Sequence, residues 1–248
     1  MLATINHAFG TPRRHFRLAD STNEQARELA IAGAPSGMVV TAGEQTAGRG
    51  RRGRQWSAPA GKALLASAIL SPLGAEHVLL PLAVPLAVCD AVESLAPLEC
   101  RIKWPNDVWS DERKLAGVLI EARPPFWAVI GIGLNVSIEP DEFPTDLRHP
   151  AASVGHGVGT EDALDAVCER LDEWVGAEHE RVLAEFEMRD ALRGREVRWT
   201  GAGGVTDAGA GVAQGIDDRG NLVVLSSEGE RLSLGSGEIQ LISVDPVE

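Results

Sequence analysis

Four arginines, Arg49, Arg51, Arg52 and Arg54, fall within six positions, interleaved with Gly48, Gly50 and Gly53. The segment reads Gly43-Glu-Gln-Thr-Ala-Gly-Arg-Gly-Arg-Arg-Gly-Arg-Gln-Trp56. No acidic residue lies between Gln45 and Ala75 to neutralise it, in a chain whose formal charge is −13. Guanidinium forks match phosphate and carboxylate oxygens in bidentate geometry. Glycines let backbone amides approach an anion closely. The loop therefore suits a small anionic ligand, and the same composition also suits a basic surface loop or a nucleic-acid patch. It lacks the GKS or GKT ending of a Walker phosphate loop.

Lys103-Trp-Pro-Asn-Asp107 places a cation, an amide and a carboxylate within five residues on a proline-fixed bend. A nucleotide with its metal asks for that mixture: lysine for phosphate, aspartate for magnesium or a proton, asparagine for either. A surface turn closed by an Asx motif uses the same residues. Arg113-Lys114-Leu-Ala-Gly117 opens an apolar run, where a lysine stays charged if an anion meets it; an ordinary exposed lysine reads the same way. Gly131-Ile-Gly-Leu-Asn135 closes the next run. Its two glycines share one face of a strand, which leaves room for something flat or slender, or marks a bulge or tight packing. Ser21, Thr22 and Asn23 are polar, and a helix N-cap accounts for at least one of them.

Elements must carry these groups. Residues 22–33 have helical spacing and stop at Gly33, behind capping residues Asp20 to Asn23. Residues 37–42 and 63–70 read as strands, 76–96 as a helix with Pro81 and Pro85 near its start, and 101–104 as extended. Residues 115–122 and 126–134 read as a hairpin joined at Pro124-Pro125, and 141–150 as loop. Leu164, Val167, Leu171, Trp174, Val175, Val182 and Phe186 mark one apolar face of a single long helix over 161–189. Composition then shifts: residues 191–248 hold 11 glycines in 58 positions, against 16 in the preceding 190. Short β-like runs at 196–199, 221–225, 231–234 and 239–244 suggest a small β-barrel appended to the α/β part. The expected division is 1–190 and 191–248.

At 248 residues and 44% hydrophobic, the chain is of ordinary globular composition and long enough for a sizeable core. Its acidity argues against general nucleic-acid binding. Cys89, Cys100 and Cys168 are odd in number and lack CxxC spacing, which fits buried thiols in a reducing compartment. The longest apolar stretch, 78–92, contains Pro81, Pro85 and Asp90 and is too short for a bilayer. No membrane association and a cytoplasmic location are expected.

Taken together and in this order, Ser21-Thr-Asn23, the Gln45–Trp56 loop with its GRGRRGRxW core, the KWPND of 103–107, the RKLAG of 113–117 and the GIGLN of 131–135 closely resemble the biotin–protein ligases. The resemblance is dense over residues 15–136 and continues loosely through the glycine-rich tail. It implies an α+β fold: a mixed-sheet catalytic domain like those of class II aminoacyl-tRNA synthetases and biotin/lipoate ligases, with a C-terminal SH3-like barrel. It implies that biotin and Mg-ATP form biotinyl-5′-AMP, after which a lysine of a carboxylase carrier domain displaces AMP.

The resemblance also assigns roles. Lys114 and Arg51 belong at the carboxylate–phosphate junction, and Arg52 and Arg54 at ATP phosphates. Lys103, Asn106 and Asp107 face nucleotide and Mg2+, with Asp107 as metal ligand or as the group that orients the carrier lysine. Trp56 walls the adenine, Gly50 lies in the ligand loop, and Asn135 lies near the nucleotide. Ser21, Thr22, Asn23, Gln45 and Arg49 belong with biotin, and Gly117 and Gly133 leave room for its valeryl tail. The glycines of the arginine loop imply that it is mobile until ligand orders it.

Some family members add an N-terminal winged helix and repress transcription. Only 20 residues precede Ser21, against roughly 60 for a winged helix, so a ligase without DNA binding is expected. Family members form homodimers to varying degrees, and the sequence does not fix that state. A lipoate or octanoate ligase or transferase shares the fold and is the nearest rival. A nucleic-acid-binding module is the rival from another class, but it leaves KWPND and GIGLN without a role.

Overall fold

The structure, a computed structural model, describes residues 8–200, 208–235 and 238–241. A seven-stranded mixed sheet occupies the first part. Its strands are β1 (Arg13–Phe16), β2 (Val39–Ala42), β3 (Ala63–Leu70), β4 (Arg101–Lys103), β5 (Asp107–Ser110), β6 (Arg113–Arg123) and β7 (Trp127–Asn135). They stand in the order β1-β2-β3-β7-β6-β5-β4, with β1 and β2 parallel and the other pairs antiparallel. The β6–β7 hairpin turns at Pro124-Pro125, as the sequence predicts.

β3 explains how the layers form. All eight of its residues are buried, which requires cover on both faces. Leu64, Ala66, Ala68 and Leu70 join the larger core, with helices α2 (Leu80–Leu95), α3 (Thr160–Trp174) and α4 (His179–Arg189). On the opposite face Ile69 packs on Ala26 of helix α1 (Thr22–Ile31). Leu65 and Ala63 on that face pack against Trp56 and Ile138 instead. The α1 face is thus covered at one end by a helix and at the other by the arginine loop, and the gap between them is the candidate site.

One expectation needs correction, and three strands escaped the sequence reading. The predicted helix over 161–189 is two helices, broken between Trp174 and His179 around Gly176. All seven apolar positions of its stripe are buried. Val175 and Val182 lie seven residues apart, so the spacing runs straight through the break and hides it. The KWPND bend leads straight into a strand that the sequence reading lacked, since β5 begins at Asp107 itself. β1 and the glycine-rich β9 (Gly209–Ile216) carry too few large apolar residues to read as strands.

The tail forms a five-stranded antiparallel sheet of β8 (Glu196–Thr200), β9, β10 (Leu222–Ser226), β11 (Arg231–Leu234) and β12 (Glu238–Leu241), in the order β11-β10-β9-β8-β12. Its short antiparallel strands are those expected of the small C-terminal domain, and among the described residues β11 and β12 stand at the two edges of the sheet. Residues 242–244, the end of one expected strand, lie outside the described residues. Val197, Trp199, Leu222 and Ile239 extend the same core as α2–α4. The Trp104 indole donates to Gly220 O at 3.0 Å, which joins the two sheets at the KWPND bend.

Candidate functional site

The floor of the site is built from transverse rows of the large sheet. In the first row Lys103 pairs with Asp107, Asp107 with Gly117, Gly117 with Gly133 and Gly133 with Leu65. In the second, Leu119 pairs with Gly131 and Gly131 with Ser67. The roof is the arginine loop, a small hairpin with an Arg49–Gln55 bridge and bonds from Gly50 N to Arg54 O and Trp56 N to Gly48 O. Arg52 takes a left-handed φ of 58° at the tip, costing roughly 1 kcal/mol in a non-glycine residue. Floor and roof enclose a cleft of about 970 Å³ including its mouth, the size of a small-molecule site.

Lys114 reaches the first row through a β-bulge. Val108 pairs with Ala116, but Trp109 pairs with Lys114, so Leu115 is the extra residue. Without the slip Lys114 and Gly117 would face opposite sides of β6; with it they share one face. Lys114 Nζ then lies 2.7 Å from Asp107 Oδ1 and 5.5 Å from the centre of the Trp56 ring. Arg51 Nη1 donates to Asn106 Oδ1 at 3.3 Å. Burial, then repulsion from Arg52 and Arg54, lowers the Arg51 pKa against the opposing pull of Asp107. An arginine stays cationic despite such a shift, so an arriving anion relieves a cost already present.

Lys103 is 5% exposed. Its Nζ lies 3.3 Å from His149 Nε2 and 5.2 Å from the Trp109 ring centre. An ammonium only donates, so His149 accepts at Nε2 and carries its proton on Nδ1. Burial and the charge of Lys103 hold His149 below its ordinary pKa, consistent with a neutral ring.

At the other end Gln45 Oε1 accepts from Thr22 N at 2.7 Å and lies 3.2 Å from Thr22 Oγ1. Ser21 stands at the N-cap of α1 yet its hydroxyl makes no capping bond. Asn23 is buried over Gly131: a Cβ there would fall 1.9 Å from Asn23 Oδ1. Gly117 and Gly133 do leave room, but the Trp56 indole takes it. A Cβ on Gly133 would lie 2.5 Å from Trp56 Cε2, and one on Gly117 3.1 Å from Trp56 Cζ3. Trp56 Nε1 is buried and meets no acceptor among the described residues.

Ser21, Thr22, Asn23, Gln45, Arg49, Gly50, Arg51, Arg52, Arg54, Trp56, Lys103, Asn106, Asp107, Lys114, Gly117 and Gly133 all line the cleft. Asn135 does not. It is buried, and its Nδ2 donates to Ala152 O at 3.0 Å and Lys114 O at 3.4 Å, stapling the strand that carries Lys114. Sequence reasoning missed His149 and Ser67. His149 lies in a stretch read as loop, with no motif around it. Ser67, fully buried, lies 2.8 Å from Thr22 Oγ1 and donates to Asn23 Oδ1 at 2.7 Å. A lone hydroxyl within the apolar run ALLASAIL was the available signal.

The cleft joins fixed cations and one carboxylate to a drier end with a few hydrogen-bonding groups, the equipment of an enzyme that brings a carboxylate onto a nucleotide phosphate. Residues 15–135 match the biotin/lipoate A/B protein ligase family, and residues 194–242 match the biotin protein ligase C-terminal domain. The biotin–[acetyl-CoA-carboxylase] ligase of Mycobacterium tuberculosis is 36% identical over 238 residues, covering 88% of this chain and 85% of its own. The bifunctional ligase/repressor BirA of Bacillus subtilis is 32% identical over 245 residues, covering 89% and 71%. A biotin protein ligase from Aquifex aeolicus, solved with biotin and ATP, superposes with a TM-score of 0.79 at 28% identity over 94% of this chain and 99% of that one. The chain belongs to the biotin protein ligase family.

Proposed function

We infer that this chain activates biotin with ATP and ligates it to a lysine of a carboxylase carrier domain. The observation that carries the reading is the Lys114–Asp107 pair, held over two paired glycines in a cleft that four arginines also line. The relatives' names and the complex with biotin and ATP support the same chemistry over a lipoate ligase.

In the first step a biotin carboxylate oxygen bonds to the α-phosphorus as the bond to pyrophosphate breaks. Two anions meet, and fixed cations remove the repulsion that water would leave. Lys114 and Arg51 stand at the junction; Arg52, Arg54 and Lys103 serve the phosphates. Trp56 walls the adenine, and its unpartnered Nε1 would find an acceptor on the ligand. Ser21, Thr22 and Gln45 serve the ureido end.

Magnesium supplies charge neutralisation on the phosphates when bound with ATP. No cluster of three His, Cys, Asp or Glu exists among the described residues, and Asp107 is the one carboxylate lining the cleft. Asp107 is the residue that would hold the ion there.

In the second step the carrier amine bonds to the biotinyl carbon, AMP leaves with the bonding pair, and the amine gives up a proton. A free lysine has a pKa of about 10.4, so a base must meet it. Asp107, the one carboxylate lining the cleft, meets the amine in this second step, in place of the metal it would hold in the first. Biotin-dependent ATP–pyrophosphate exchange, absent with lipoate, tests the reading; exchange with lipoate and none with biotin would overturn it.

Among the described residues no helix is long and apolar enough to cross a membrane. The three buried free cysteines suit a reducing compartment such as the cytoplasm. We place the catalytic unit at 1–190 and the C-terminal unit at 191–248.

A further inference from the structure

We propose that Glu121 is a positioning residue of this reaction, tying the base of the arginine loop to the floor of the cleft through its two carboxylate oxygens. The inference rests on the reading above, in which the cleft makes and keeps a biotinyl adenylate.

Glu121 Oε2 accepts from Asn23 Nδ2 at 2.9 Å, and Oε1 lies 3.3 Å from Arg49 Nη2. Arg49 Nη1 donates to Glu24 Oε2 at 3.1 Å. Arg49 stands at the base of the loop hairpin, bridged to Gln55. Its guanidinium is therefore gripped by two carboxylates from two different elements, α1 and β6. The neighbouring Arg51 points the other way along the cleft, to Asn106.

Asn23 completes the tie. It is 4% exposed, its Nδ2 also donates to Leu119 O at 3.3 Å, and its Oδ1 accepts from Ser67. Both amide hydrogens and one oxygen lone pair are thus committed inside the protein. The absent side chain of Gly131 makes the space for it. Asn23 and Arg49, which the resemblance puts on biotin, are by these contacts scaffolding that fixes where the loop begins.

Glu121 lies four positions along β6 from Gly117, about 13 Å at the rise of a strand. It touches no group assigned to the reacting atoms. What it controls is how firmly the loop base stays seated, and hence how long a reactive anhydride stays under the loop.

The test uses the full chain with Glu121→Gln, which keeps an acceptor for Asn23 and removes the charge that holds Arg49. Adenylate escaping from the enzyme is trapped with hydroxylamine and counted against biotinylated carrier. Losing one half-exposed ion pair should raise escape about five-fold, with melting temperature and the exchange rate at saturating substrates unchanged. Glu24→Gln, which removes the other half of the grip, should raise escape in the same direction and decides the matter if Glu121→Gln does not fold. Wild-type escape in the folded variants overturns the inference while leaving the ligase reading intact. Absence of biotin-dependent exchange in the unmodified protein overturns the ligase reading itself.

Discussion

Lys114 Nζ and Asp107 Oδ1 meet at 2.7 Å because the register between β5 and β6 slips between Val108 and Trp109. A regular ladder would turn Lys114 to the face opposite Gly117, away from the cleft. The face that Lys114 presents is thus set by one extra residue in one strand.

Lys114→Met should therefore remove a cation from the junction while leaving the fold in place. Loss of one such fixed charge costs on the order of 10²- to 10³-fold in rate. Biotin-dependent ATP–pyrophosphate exchange measures it, and a rate within a few-fold of wild type would discredit Lys114's place at the junction.

Gly131→Ala should act at the opposite end. The new Cβ would fall 1.9 Å from Asn23 Oδ1, so Asn23 must move and its bond with Ser67 must break. Overpacking of this kind costs about 1–3 kcal/mol. The melting temperature should fall and biotin KM should rise at least several-fold, with ATP KM little changed. Equal effects on both KM values would show that the two ends of the cleft are not separately built.

How legible all this was depends on what kind of signal each residue leaves. β3 is read at its observed bounds, 63–70, because seven apolar residues around Ser67, all buried, form one run. The cleft's polar residues are legible because they cluster into short, dense motifs. The bulge is invisible because it changes facing without changing composition. The same blindness hid the break at Gly176, since a heptad-like interval reads alike in a continuous and a broken helix. Asn135 shows the converse error: it closes a motif by position, yet its amide staples backbone outside the cleft.

His149→Ala should remove the acceptor that lies 3.3 Å from Lys103 Nζ, whereas His149→Gln supplies one. A lost hydrogen bond to a charged group is worth about 1.5–3 kcal/mol. We expect ATP KM to rise roughly ten-fold or more in the alanine variant by that measure, and to be largely restored in the glutamine variant. Identical ATP KM values in all three proteins would separate His149 from nucleotide binding.

Asp190 gives the fold a pH dependence of its own. Burial raises its carboxyl from an ordinary 3.8 to about 6, although the Leu192 and Arg193 amides oppose the shift. Its Oδ2 finds no donor among the described residues. Between those two values the folded protein keeps a proton that the unfolded chain has released, so this group's contribution makes stability fall as pH rises through the window and level off above it. Asp190→Asn should flatten that slope and raise stability near pH 8 by up to about 3 kcal/mol. Urea unfolding at pH 4.5 and pH 8 measures it; an unchanged difference between the two would refute the assignment.

The bond from Trp104 to Gly220 has a further consequence, together with that from Arg52 to Thr200 O at 3.3 Å. Each runs from a segment lining the cleft to a carbonyl of the small C-terminal sheet. A ligand that settles the loop and the KWPND bend therefore also settles the sheet's position. Linkage makes the traffic two-way: any protein that grips the small sheet and favours that position must tighten nucleotide binding by the same factor.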